Sequence, residues 1–237
     1  MHPHAPPYPH TRITLPRRRL LAAGLALPLW PGTSAALTPQ RQQFPRDLGS
    51  HPDMRTEWWY ITGSLSGDTP AQSFGFQLTF FRSRVAATQG MASAFAAKQL
   101  MFAHAAVTDV TGKKLWHDQR LARAGFGVAQ ASETDTDIRL RDWSLRRGSN
   151  GAYQAQAAGA DFDFSLTLTE TQPLLLQGDR GLSRKGPEAK QASFITACPS
   201  CAPPAPCAWA ASRWPCKARP GWTTNGTTNN DSKFSYH

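Results

Sequence analysis

The sequence predicts an all-β protein, built as an antiparallel barrel or sandwich, on three observations. First, Phe162, Phe164, Leu166 and Leu168 alternate strictly with Asp163, Ser165, Thr167 and Thr169. Second, Phe74, Phe76, Leu78 and Phe80 do the same against Gly75, Gln77 and Thr79. Side chains on an extended chain point to opposite faces in turn, so a period of two marks a half-buried strand. Third, polar turn signals punctuate these runs: Ser66-Gly67-Asp68, Thr111-Gly112-Lys113 and Gly148-Ser149-Asn150-Gly151. No βαβ rhythm and no internal repeat accompany them, which leaves antiparallel architectures.

Taken in chain order, the predicted strands are Glu57–Leu65, Phe74–Phe80, Met101–Thr108, Ile138–Leu140, Trp143–Arg147, Tyr153–Ala157 and Phe162–Thr169. Met91–Leu100 alone reads as a helix, from its alanines and its Phe95/Gln99 spacing. If faces agree across strands, Trp58, Tyr60, Phe74, Phe76, Phe164 and Leu166 point into one interior.

A chain of 237 residues with 40% hydrophobic and 18% charged content is long enough to bury a core. That composition excludes a disordered tail protein, a collagen-like chain and a small disulfide scaffold. The formal charge of +10 suggests nucleic acid until it is divided along the chain. Residues 1–36 carry four Arg and no acid, and residues 194–237 carry four basic residues against Asp231. The body, 37–193, holds 18 basic and 15 acidic residues, a balance of only +3. Nucleic-acid binding is therefore set aside for the body.

The two ends differ from the body. Arg17, Arg18 and Arg19 precede the apolar run Leu20 to Trp30, and small residues follow from Gly32 to Ala36. This is the order of a signal peptide, and the run is shorter than the roughly 20 apolar residues that span a bilayer. Paired arginines before Leu20-Leu21 favour the twin-arginine route. Cleavage after Ala36 then gives a periplasmic or secreted mature chain with no transmembrane span. At the other end, residues 194–237 contain no Leu, Val or Met but hold all four Cys and six of the 19 Pro. With Ile195 as its single branched aliphatic residue, this tail is expected to be irregular.

The densest chemistry lies in Asp47-Leu48-Gly49-Ser50-His51-Pro52-Asp53-Met54-Arg55-Thr56-Glu57-Trp58-Trp59-Tyr60. His51, Asp53 and Glu57 are metal-ligand types, but their spacing fits no metal signature, and no metal or cofactor is expected. Along a strand, Trp58 and Tyr60 share one face and Glu57 and Trp59 the other, so one aromatic pair lines an interior. A buried Glu57 needs Arg55 or another donor. His104, between Ala103 and Ala105, reads as a hydrogen-bonded core residue or as a polar group at a barrel mouth beside His51. Asp179-Arg180 with Arg184-Lys185 reads as an anion site or as loop charges that pair with one another. Gly63-Ser64-Leu65-Ser66-Gly67 puts Leu where a nucleophile elbow needs Ser. No Walker loop or His-Glu-x-x-His is present, and the cysteine spacings fit no zinc finger.

These residues resemble a family. Gly49-Ser50-His51-Pro52 through Glu57-Trp58-Trp59-Tyr60 is similar to the opening motif of the carotenoid 1,2-hydratase (hydroxyneurosporene synthase) and AttH group. So are Gly75-Phe76-Gln77-Leu78-Thr79-Phe80-Phe81-Arg82, Phe102-Ala103-His104 to Asp109, and Leu176-Gln177-Gly178-Asp179-Arg180-Gly181 with Ser183-Arg184-Lys185-Gly186-Pro187. The resemblance covers about 44–193. It implies the first of two consecutive lipocalin-like barrels. The implied activity is acid-catalysed hydration of a terminal isoprenoid double bond, and the implied partner is a small hydrophobic ligand, a carotenoid or other lipid. On that reading His51, Glu57, Trp58, Tyr60, Phe76 and His104 are the candidate barrel-lining, ligand-binding residues, while the catalytic residues stay unassigned.

The family continues with Ala-Ser-Tyr-Tyr and later a segment like Trp-Leu-Asp-His-Glu-Trp; here Ala192-Ser193 is present and Phe194 onward departs. Read one base earlier, the codons for Trp222-Thr223 give Asp, and the next triplets permit His, Glu and Trp. The same shift lets Phe194-Ile195-Thr196-Ala197 become Tyr-Tyr-Ser. A frameshift near Phe194 thus accounts for the lost aliphatics and the sudden cysteines together. The expectation is a truncated, catalytically silent family member, prone to oligomerise through exposed apolar surface. The rivals are a non-catalytic periplasmic carrier of a hydrophobic ligand and a secreted hydrolase.

Overall fold

In the computed structural model the described residues are 37–67, 72–189, 191–202, 216–218 and 221–228. The leader 1–36, with its expected signal and export route, lies outside them, as do 203–215 and 229–237.

Every strand pair in the described chain is antiparallel. A meander of four strands comes first: β1 (Thr56–Gly67), β2 (Ser73–Arg84), β3 (Gln99–Asp109) and β4 (Lys114–Arg123). A second meander follows: β5 (Ala129–Ala131), β6 (Asp137–Leu140), β7 (Trp143–Arg147), β8 (Tyr153–Ala158) and β9 (Asp163–Glu170). The short β10 (Leu175–Leu176) and β11 (Leu182–Arg184) both pair with β12 (Ala192–Ala202), and β13 (Cys216–Ala218) pairs with β1. Finally β14 (Gly221–Thr228) lies between β1 and β12, and β12 meets β9. The hydrogen-bonded order is therefore β4-β3-β2-β1-β14-β12-β9-β8-β7-β6-β5.

Curling brings the two meanders face to face. On one side of the core are Trp59, Ile61, Leu65, Phe74, Phe76, Leu78, Phe80, Ala103, Ala105 and Val107. On the other are Ile138, Leu140, Trp143, Leu145, Phe164, Leu166 and Leu168, and all are buried. The Phe76 and Phe164 rings sit 6.0 Å apart across it. Period-two alternation is the physical reason: each strand sends every second side chain inward, and register keeps those rows aligned. Trp59 stands opposite Phe80, Ile61 opposite Leu78, and Leu65 opposite Phe74.

Three expectations are corrected. Met91–Leu100 is not a helix: residues 91–98 are turns and irregular chain, a 3-10 turn covers Ala86–Thr88, and β3 begins at Gln99. Phe95, 76% exposed, stacks on the likewise exposed Phe126 and not on the core, and a helix without a stripe packed on the core has little to hold it. The tail is not irregular throughout, because its backbone supplies most of β12 and all of β14. Extended backbone satisfies the open donors and acceptors of β1 and β12 whatever its side chains, and β14 carries four β-branched threonines. Trp58 and Tyr60 do not join Phe74, Phe76, Phe164 and Leu166 in the core; they lie on the outer face of β1.

β4, which the sequence reading passed over, alternates only between exposed and half-buried positions. Its Leu115 and Leu121 are exposed, so hydropathy gives it no inward row.

Candidate functional site

Before β1 the chain makes a 3-10 turn, Arg46–Leu48, that covers one end of the core. Buried Leu48 accepts at its carbonyl from Trp59 Nε1 (3.0 Å) and Thr136 Oγ1 (3.0 Å), and Ser50 N donates to Ser132 O (2.7 Å). Gly49 is required for this contact: a Cβ there would stand 2.8 Å from the Glu133 carbonyl carbon and 2.9 Å from Ser132 O. The motif glycine is thus explained by close backbone approach.

The polar half of the motif closes on Glu57, which is fully buried. Its Oε2 accepts from Ser50 Oγ (2.8 Å) and from Arg82 Nε; its Oε1 accepts from His51 N (2.6 Å) and contacts His51 Nδ1 at 2.9 Å. The other ring nitrogen, Nε2, is 3.1 Å from Asp47 Oδ1. Arg82 donates onward to His51 O and Met54 O, both at 2.8 Å, and to Pro52 O and Gln99 Oε1. Glu57 and Arg82 are directly opposed across β1 and β2, one row beyond Trp59 and Phe80.

Electrostatics follow from this geometry. Burial pushes the Glu57 carboxyl up, but His51, Arg82 and Ser50 outweigh it and hold the pKa below the usual value. Burial likewise opposes charge on His51, and the Glu57 and Asp47 carboxylates outweigh that, raising its pKa. A carboxylate so filled with donors and shut from solvent cannot hand a proton to a ligand. The group is a clamp that ties the 46–55 segment to β2 and β3. His51 and Glu57 therefore leave the expected barrel-lining set, and Arg82, not Arg55, neutralises Glu57. Phe76 is a core side chain.

The other three expected residues come together elsewhere. Trp58, Tyr60 and Thr62 of β1, Gln77, Thr79 and Phe81 of β2 and His104 of β3 line a pocket of about 440 Å³ on the outer face, with Lys185 from the β11–β12 connection. Register explains the grouping: Trp58, Phe81 and Phe102 form one cross-strand row, and Tyr60, Thr79 and His104 the next. Phe81 stacks on Phe102 at 4.8 Å, and the His104 ring lies 5.9 Å from Phe81. Gln77 Nε2 donates to Thr79 Oγ1 (3.1 Å). His104 is exposed on this face, not a core histidine. The pocket offers aromatic walls and a polar floor, which suits an apolar ligand oriented by a few polar atoms. Thr62, Gln77, Thr79, Phe81 and Lys185 were missed; the signal that could have found four of them was that Trp59, Ile61 and Leu65 form the more apolar row of β1.

The Asp179-Arg180-Gly181 motif is a turn. Asp179 and Leu182 exchange backbone hydrogen bonds at 3.0 and 2.9 Å, Arg180 and Gly181 take positive φ of 50° and 96°, and exposed Arg180 pairs with Asp179 at 3.3 Å. Among the described residues no cluster of three or more His, Cys, Asp or Glu could hold a metal ion, and no helix is long and apolar enough to cross a membrane.

A curled antiparallel sheet with one apolar interior and a mixed outer pocket defines a lipocalin-like β-protein. The AttH-like family model matches residues 35–203, and the chain belongs to that family. The match runs past Phe194, where the motif resemblance had been expected to stop. Among solved structures, a protein assigned to AttH from Nitrosomonas europaea is 36% identical with a TM-score of 0.70, covering 84% of this chain and 59% of that one. Kievitone hydratase from Nectria haematococca shares the fold at a TM-score of 0.53 and 8% identity, covering 83% and 57% respectively. The chain thus spans about three-fifths of the length of these relatives. No curated protein matches the sequence.

Proposed function

We propose that this AttH-like chain binds a small apolar ligand, or the apolar end of a longer isoprenoid, in the outer-face pocket. The observation that carries it is the pocket itself: Trp58, Tyr60 and Phe81 walls over Thr62, Gln77, Thr79 and His104, with a volume in the usual ligand range. The finer reading is the carotenoid 1,2-hydratase one, supported by the motif resemblance and by a hydratase among proteins of the same fold. In that chemistry an acid protonates a terminal C=C, the tertiary cation rests against aromatic faces, and water adds and returns a proton. Tyr60, His104 and Lys185 are the titratable groups lining the pocket. The segment like Trp-Leu-Asp-His-Glu-Trp is absent from this reading frame, so binding without turnover is the reading for this chain, with the frameshift as its cause and the periplasm as its compartment.

The test is incubation of the purified protein with an acyclic carotenoid, following tryptophan quenching and product by chromatography. Quenching that weakens in Trp58→Phe, with no hydrated product, is expected. Product formation would refute the silent-chain reading, and absence of quenching would refute the pocket. An ester panel addresses the hydrolase rival, for which no nucleophile motif is present.

A further inference from the structure

We propose that the pocket selects a ligand with an apolar body and an anionic head, such as a carboxylate, and that Lys185 meets that head. The proposal rests on the binding reading above and narrows its ligand class.

Lys185 is the one cation among the described residues lining the pocket, and none of those residues is acidic. Its ammonium donates to Ser183 Oγ at 3.2 Å and makes no ion pair among the described residues. Its backbone is pinned, because Lys185 N donates to Gln191 O (2.7 Å) where the β11–β12 hairpin closes. Lys185 thus lines the same pocket as Trp58, Tyr60 and Phe81, with its ammonium exposed to an incoming head. Partial desolvation lowers the Lys185 pKa although the side chain remains largely exposed. An anionic head placed there gains a charge-assisted hydrogen bond while the body lies along Trp58, Tyr60 and Phe81. Thr62, Gln77 and Thr79 are neutral, so they orient polar atoms without choosing a charge.

Two fluorescent probes of identical body separate head from body: cis-parinaric acid and its methyl ester, titrated into the full chain at neutral pH. The acid is expected to bind about tenfold more tightly than the ester, the size of one exposed charge-assisted hydrogen bond. Lys185→Gln should bring the acid down to the ester's affinity and leave the ester unchanged, while Lys185→Arg keeps the preference. Gln77→Trp, which fills the pocket from an exposed position, should abolish binding of both. Equal affinity of acid and ester, or a preference that survives Lys185→Gln, overturns the anionic head and leaves the pocket reading standing. Failure of both probes to bind, or binding indifferent to Gln77→Trp, overturns the pocket reading and this assignment with it.

Discussion

The two faces of the first meander carry opposite designs on the same strands. Its core face runs from the Glu57–Arg82 pair through Trp59/Phe80 and Ile61/Leu78 to Leu65/Phe74, and every one of these side chains is buried. Its outer face runs Trp58/Phe81/Phe102 and then Tyr60/Thr79/His104, with aromatic and polar atoms mixed and a pocket left open. One face is filled for stability and the other is left unfilled. A strand can serve both because alternate side chains never share an environment. Substitutions one residue apart should therefore do different things.

The largest contrast is at the clamp. Arg82→Met leaves the Glu57 carboxylate buried beside a methionine, and loss of one partner of a buried pair costs about 3–5 kcal/mol. Chemical denaturation should show that loss, whereas Tyr60→Phe, on the outer face of β1, should chiefly change ligand binding. Next is Leu78→Ala, which opens a cavity between the meanders and costs about 2–5 kcal/mol. Its neighbour Gln77, exposed on the other face, tolerates Ala within about 0.5 kcal/mol.

A smaller effect is pH dependence confined to the clamp. The Glu57 pKa is lowered on folding, so its contribution is present above 4.5 and is lost as pH falls through the lowered folded value. The His51 pKa is raised, so its contribution is present below 6.5 and is lost as pH rises through the raised folded value. Melting temperature should therefore be highest between these limits, and His51→Gln should remove the alkaline dependence and also weaken the acid one, because His51 helps to lower the Glu57 pKa. Smallest for stability is His104→Ala, within about 0.5 kcal/mol because the side chain is exposed. Ligand titration of that variant should nonetheless change, and an unchanged titration would remove His104 from the site.

Tail and body offer a second lesson. The body's strands were legible because their apolar residues alternate, and Trp143–Arg147 and Tyr153–Ala158 fall where the pattern puts them. The 221–228 segment has no such pattern, yet its backbone pairs with β1 from Thr56 to Thr62. Edge strands recruit extended chain through main-chain groups that every sequence possesses.

By itself the sequence determined the strand class, the hairpin turns and the two alternating rows of β1, because these depend on near neighbours in the chain. It also marked the 47–60 motif as dense in chemistry. Only the tertiary structure decided which row of β1 faces inward. Glu57 could enter the core with Trp59 because Arg82 and the folded 47–51 segment supply its donors. The same choice turned Trp58 and Tyr60 outward, beside His104 and under Lys185. Burial of a charge is settled by partners distant in sequence, and β2 register is what delivers the guanidinium.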